Sequence, residues 1–86
     1  MKRAAIISAI LDQPHESQRD FNDLVSEFNS IIRGRMGIPF SNGTLALISL
    51  TVVAELDVIN NFTGKLGKLK GVTVKASIAR EDIHIE

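Results

Sequence analysis

Residues able to do chemistry are few in this chain, and they are scattered. Histidine occurs twice, at His15 and His84, and cysteine not at all, so neither thiolate metal sites nor disulfides are available. The two histidines lack the i, i+4 spacing that sets two ligands on one helix face. With Asp12, Glu16 or Glu81 they could bind a metal only across an interface. Solvated side chains are the simpler reading, and no metal or cofactor is expected. Asp12 and Glu16 could form a carboxylate pair for acid–base work, but loop and helix-cap roles explain them more cheaply. The run from Gly64 to Gly71, GKLGKLKG, looks like a phosphate loop at a glance. It matches neither GxxxxGK[ST] nor GxGxxG, and it falls at the C-terminal end of a helix, the wrong end for an anion. Arg33 and Arg35 are two like charges on one strand face. They could hold an anion, although guarding a sheet edge is the more economical role. No Ser/His/Asp set presents itself, and an enzyme is not expected.

Eighty-six residues make one domain, 1–86, with residues 80–86 read as a charged tail. Ten basic and ten acidic side chains cancel, which removes the electrostatic argument for nucleic acid or a membrane surface. The N-terminal MKRAAIISAILDQP imitates a signal peptide, with two charges before an apolar run. Asp12 breaks that run, and cleavage would remove an obvious strand. It is read as structure in a cytoplasmic protein.

The element that organises the rest is Thr44–Ala54, TLALISLTVVA, an uncharged run rich in β-branched residues and leucine. It is too short to span a bilayer, which needs about 20 residues, and its composition favours a buried strand. One face carries Leu45, Leu47, Ser49, Thr51 and Val53; the other carries Ala46, Ile48, Leu50 and Val52. Neither is plainly polar, so the strand is expected to be central and covered on both sides. Ala4–Leu11 reads the same way as the first strand, broken by Asp12-Gln13-Pro14. A helix capped by Ser17 should follow, with Phe21, Leu24, Val25 and Phe28 on one face. Ile31–Phe40 alternates as a second strand, with Ile32, Gly34, Met36 and Ile38 on one side and Arg33 and Arg35 on the other. Asn42-Gly43 supplies a hairpin turn. A second helix is expected to be capped by Asp57 and closed by Gly71, with Val58, Ile59, Phe62, Leu66 and Leu69 on its buried stripe. Gly64 and Gly67 lie opposite that stripe, at a cost of about 1 kcal/mol each relative to alanine. Val72/Val74/Ala76/Ile78 against Thr73/Lys75/Ser77 reads as an edge strand.

The order β-α-β-β-α-β predicts a ferredoxin-like α+β sandwich: a four-stranded antiparallel sheet, order 4-1-3-2, with both helices on one face. Two helices cover only one face, yet the central strands are apolar on both. The open face is therefore expected to be buried in a homo-dimer or tetramer, with Ile6, Ile10, Ile48, Leu50 and Val52 as interface candidates. RNA-recognition modules share this topology but stack bases on sheet aromatics, and the central strands here have none.

Three stretches carry a resemblance to a known family: Arg35-Met36-Gly37-Ile38-Pro39, the central strand, and above all the segment from Gly64 to Lys75, GKLGKLKGVTVK. The chain resembles the small regulators of the iron-only hydrogenase system, which are stand-alone ACT-like domains. The resemblance implies a regulatory or small-molecule-sensing domain, related in fold to amino-acid-binding ACT domains and to the C-terminal domain of nickel-responsive repressors. ACT domains often read Asp-x-Pro-Gly after the first strand; here the stretch is Asp12-Gln13-Pro14-His15, with His15 where the glycine would stand. The histidines and cysteine of the nickel repressors have no counterpart. An effector, if one binds, is expected at Asp12, Gln13, Pro14 and His15, joined across an interface by Gly64 and Gly67. No ribbon-helix-helix segment precedes the first strand, so a role in transcription would run through a partner protein. The alternative reading is a structural or assembly module that binds another protein and no small molecule.

Overall fold

Two long apolar strands at the centre of one sheet determine the architecture. The computed structural model describes residues 1–83. Strand β1 (Lys2–Asp12) leads into helix α1 (Pro14–Glu27); a 3-10 turn (Asn29–Ile31) then feeds strand β2 (Ile32–Phe40). Strand β3 (Leu45–Glu55), helix α2 (Leu56–Gly67) and strand β4 (Val72–Ile83) complete the chain. The sheet order is β2-β3-β1-β4, all antiparallel, so the two uncharged runs are indeed central. This is the ferredoxin-like α+β arrangement expected from the element order.

The core lies between the helices and one face of the sheet. From β1 it takes Ala5, Ile7, Ala9 and Leu11, and from β3 Ile48, Leu50, Val52 and Ala54. Phe21 and Val25 of α1 and Ile59, Phe62 and Leu66 of α2 close over them. Phe28 and Phe62 stack at 4.5 Å and join the helices to each other. Period-2 and period-3.6 patterns thus meet on one shared apolar surface.

Several local expectations are corrected. Ser17 does not cap α1. Pro14 starts the helix at once, because its fixed φ and missing N–H suit the first helical position, and Gln13 is the cap residue at φ 51°. Ser17 lies a turn further in, buried, with its hydroxyl donating to the Asp12 carbonyl at 3.4 Å. Asp57 is likewise inside α2 rather than at its cap, where Glu55 stands; its carboxylate accepts from the Val58 N–H at 3.0 Å. Helix α2 stops at Gly67, not Gly71. Gly71 instead begins the approach to β4 at φ 76°, and its carbonyl accepts from the Asp12 N–H at 2.8 Å.

Ile32 was expected beside Met36 and Ile38. A register shift between Ile32 and Gly34 turns it opposite Val52, so it packs on the core. The predicted turn holds three successive left-handed residues, Ser41, Asn42 and Gly43, between the paired Phe40 and Leu45. Residues 80–83 continue β4 beyond a second register shift and are not a tail; Arg3 meets Asp82 there at 3.3 Å. His84 lies outside the described residues. Among the described residues, no helix is long and apolar enough to cross a membrane.

Candidate functional site

Alternation along the strands decides which side chains are left uncovered. In β1 and β3 the residues paired as Ile10↔Leu47, Ser8↔Ser49 and Ile6↔Thr51 point away from the helices. Strand β2 adds Ile38, Met36 and Gly34 to those three rows, and β4 adds Thr73, Lys75 and Ser77. Six of the eight large apolar side chains exposed among the described residues fall on this one face: Ile6, Ile10, Met36, Ile38, Phe40 and Leu47, between 39% and 66% exposed. A monomer that scattered its exposed apolar residues at random would not segregate them so.

The strand faces also correct the expected interface. Ile6 and Ile10 lie on the open face. Ile48, Leu50 and Val52 point to the helices and are 7%, 0% and 0% exposed, so they belong to the core. Nor is β3 covered on both sides within the chain, since Leu47, Ser49 and Thr51 are exposed. The residues missed were Met36, Ile38, Phe40 and Leu47. Their alternation was visible, but no local signal says which of two apolar faces the helices will choose.

A second place of interest is the β1–α1 turn. Asp12 and Gln13 line a depression of about 390 Å³ there, together with Glu16, Ser17 and Asp20 of α1 and Lys70 and Gly71 of the α2–β4 link. Antiparallel pairing of β1 with β4 (Leu11↔Val72) brings the last two into place, a consequence of topology that was readable in principle. Gly71 is required at this point: a Cβ would stand 3.1 Å from the Asp12 carbonyl oxygen, and its φ is left-handed.

The other expected ligand residues do not converge here. Pro14 is buried and lines a smaller groove between α1 and β2 with Gln18, Arg35 and Pro39. His15 is largely exposed, 3.8 Å from the Glu16 carboxylate. Gly64 and Gly67, expected to join from across an interface, do not line the depression within one chain, and apart from the chain neighbours and the backbone of α2 no described atom comes within 4 Å of where their Cβ atoms would be.

Arg35, weighed as an anion ligand, lies instead along α1. It donates to Asn22 Oδ1 at 2.9 Å and its guanidinium stands 5.7 Å over the Phe21 ring. Lys65 reaches Glu27 at 3.9 Å and covers the Phe28 ring at 5.4 Å. Among the described residues, no three His, Cys, Asp or Glu side chains are grouped to hold a metal ion.

Fold and faces together define a small ferredoxin-like domain with one sheet face uncovered. The chain belongs to the TM1266-like family, described as "Iron-only hydrogenase system regulator, putative", whose model matches residues 3–76. It is similar to a solved structure, the uncharacterized protein TM1266 from Thermotoga maritima. The two are 30% identical with a TM-score of 0.87, over 93% of this chain and 100% of the other. No match was found among curated proteins.

Proposed function

We propose that this protein is a non-enzymatic regulatory module of the iron-only hydrogenase system. It works in the cytoplasm as an oligomer, through its open sheet face, and senses a small molecule at the β1–α1 turn. The observation that carries the reading is the gathering of Ile6, Ile10, Met36, Ile38, Phe40 and Leu47 on one uncovered face. Burying that surface gives a driving force of about 25 cal/mol per Å2 of apolar area. Family membership supports the regulatory role.

The β1–α1 depression supplies the sensing half of the proposal. Three carboxylates, Asp12, Glu16 and Asp20, share it with Lys70. Such a set suits a small molecule bearing an amine, with an acidic group turned toward the lysine. The same apolar open face also fits a second reading, an assembly module that binds protein alone.

Mass in solution by light scattering, with and without a panel of amino acids, nucleotides and divalent metals, tests both. An oligomer shifted by one member of the panel is the expected result. An oligomer indifferent to all of them leaves the assembly reading, and a monomer throughout overturns the role given to the open face.

A further inference from the structure

Strand β2 is an edge of the sheet and pairs with β3 alone. Which of its backbone groups face outward follows from the ladder. The Asp12 N–H is given to Gly71, on the β4 side, so Asp12 and its opposite residue Leu45 exchange no hydrogen bonds. Along an antiparallel strand the two sides alternate, so Leu45 turns its own backbone groups toward Phe40. Phe40, Ile38 and Met36 therefore bond β3, whereas the backbone groups of Pro39, Gly37 and Arg35 face away from the sheet. Proline suits that phase, since it has no N–H to withhold from the ladder.

Those three outward residues also border the groove between α1 and β2. Gly37 and Ala46 are small, and the hollow of about 140 Å³ beside them is lined by Leu11, Pro14 and Ile48. Gly37 has no side chain to bar it, so a residue on a neighbouring strand can reach across the edge into that hollow. Arg35 stands two residues back on the same side. Asn22 Oδ1 at 2.9 Å and the Phe21 ring at 5.7 Å hold its guanidinium in place. Asn22 engages one terminal nitrogen, and a guanidinium has further N–H donors for a carboxylate.

We infer that β2 accepts an added strand from a different protein. The segment it fits runs antiparallel to β2, with an aliphatic residue opposite Gly37 and, two residues later, an aspartate or glutamate opposite Arg35. Side chains two apart on a strand share a face, so both reach the helix side together. Main-chain hydrogen bonds to Arg35, Gly37 and the Pro39 carbonyl hold the strand, while the hollow and the guanidinium select its sequence. A second copy of this chain is the poorer occupant, because its own β2 would bring another arginine to a seam that calls for a carboxylate. The site is the edge of the sheet and not its open face, so it does not depend on the oligomer proposed above.

A blocked, fluorescein-labelled peptide, Thr-Thr-Leu-Thr-Glu-Thr-Thr, tests this beside its reversed sequence and a version with lysine for glutamate. The first alone should give a saturable rise in anisotropy. On binding it should slow hydrogen exchange at the Arg35 and Gly37 amides and leave Met36 and Ile38, already bonded to β3, little changed. Arg35→Gln keeps a donor for Asn22 and removes the charge; it should weaken binding about tenfold, the worth of one charge-assisted hydrogen bond. Gly37→Val should abolish binding by obstructing the hollow. Its Cβ would stand 3.5 Å from Ile48 Cγ1, an ordinary contact, so the fold should survive, as circular dichroism would show. Gly37→Ala, a smaller obstruction, serves should the valine variant fail to fold.

No binding by any of the peptides would overturn the edge site, as would binding without protection at Arg35 and Gly37. Tighter binding of the reversed peptide would overturn the antiparallel order, and tighter binding of the lysine peptide the part given to Arg35. None of these results bears on the open face, which the mass in solution decides separately.

Discussion

Gly71 and Gly64 carry opposite consequences although both belong to the same GKLGKLKG run. At Gly71 the backbone is left-handed and an added Cβ would press on the Asp12 carbonyl at 3.1 Å. Gly71→Ala should therefore destabilise the domain by about 1–2 kcal/mol in urea unfolding. At Gly64, in the interior of α2, a Cβ meets open space. Gly64→Ala should stabilise by about 0.5–1 kcal/mol, through helix propensity and a less free unfolded chain. Destabilisation there would mean that something outside the chain rests on α2.

The N-terminus offers a pH-dependent case. The Met1 ammonium donates to Glu55 Oε2 at 2.9 Å, and that hydrogen bond, followed by the carboxylate's charge, holds its pKa above the ordinary 8.0. A pKa raised by folding contributes stability that is fully present below pH 8 and is lost as pH rises through the folded value. Glu55→Gln should remove this decline, read as a flatter urea midpoint against pH above 8. The effect will be small, since the pair is exposed.

At the scale of elements, packing rather than propensity holds the helices down. Phe62 is fully buried and stacked on Phe28, so it fastens α2 to the sheet and α1 to α2. Phe62→Ala should cost about 3–5 kcal/mol, enough to leave a domain of this size largely unfolded at 37 °C. The check is the loss of cooperative thermal melting.

Element type and order were legible because the two periodicities are clean: Val72/Val74/Ile78 read as a strand and Ile59/Phe62/Leu66 as a helix stripe, and both are found. Element ends were less legible. Pro14 competes with Ser17 to begin α1 and prevails, since a proline already set for the first helical position leaves Ser17 free to pack inside. The register shift that turns Ile32 inward depends on what β3 presents opposite it, which strand alternation alone does not encode. The β1–α1 depression was half visible: Asp12 and Gln13 are local in sequence, whereas Lys70 and Gly71 arrive by pairing over some sixty residues.

For the whole molecule, the open face is where sequence and structure diverge most usefully. Alternation in β1 and β3 says that both faces are apolar; only the placement of α1 and α2 decides that Leu50 and Val52 are core and that Leu47 and Ile10 are left to solvent. An 86-residue domain has little apolar surface to spare, and concentrating six large side chains on its uncovered face costs solubility unless another surface covers them. Regulation in such a domain would be transmitted through that contact. The proposed effector site at the β1–α1 turn lies at the end of the same central strand that supplies Ile6, Ser8 and Ile10.

One measurement tests this most directly: the mass of the wild-type chain in solution by light scattering over a range of concentrations, beside Leu47→Asp. The chain weighs 9.4 kDa. The wild type should show twice that mass or a higher closed multiple, and the variant the mass of a single folded chain. A wild-type chain that stays at 9.4 kDa at every concentration would contradict the account, and the open face would then belong to a different protein.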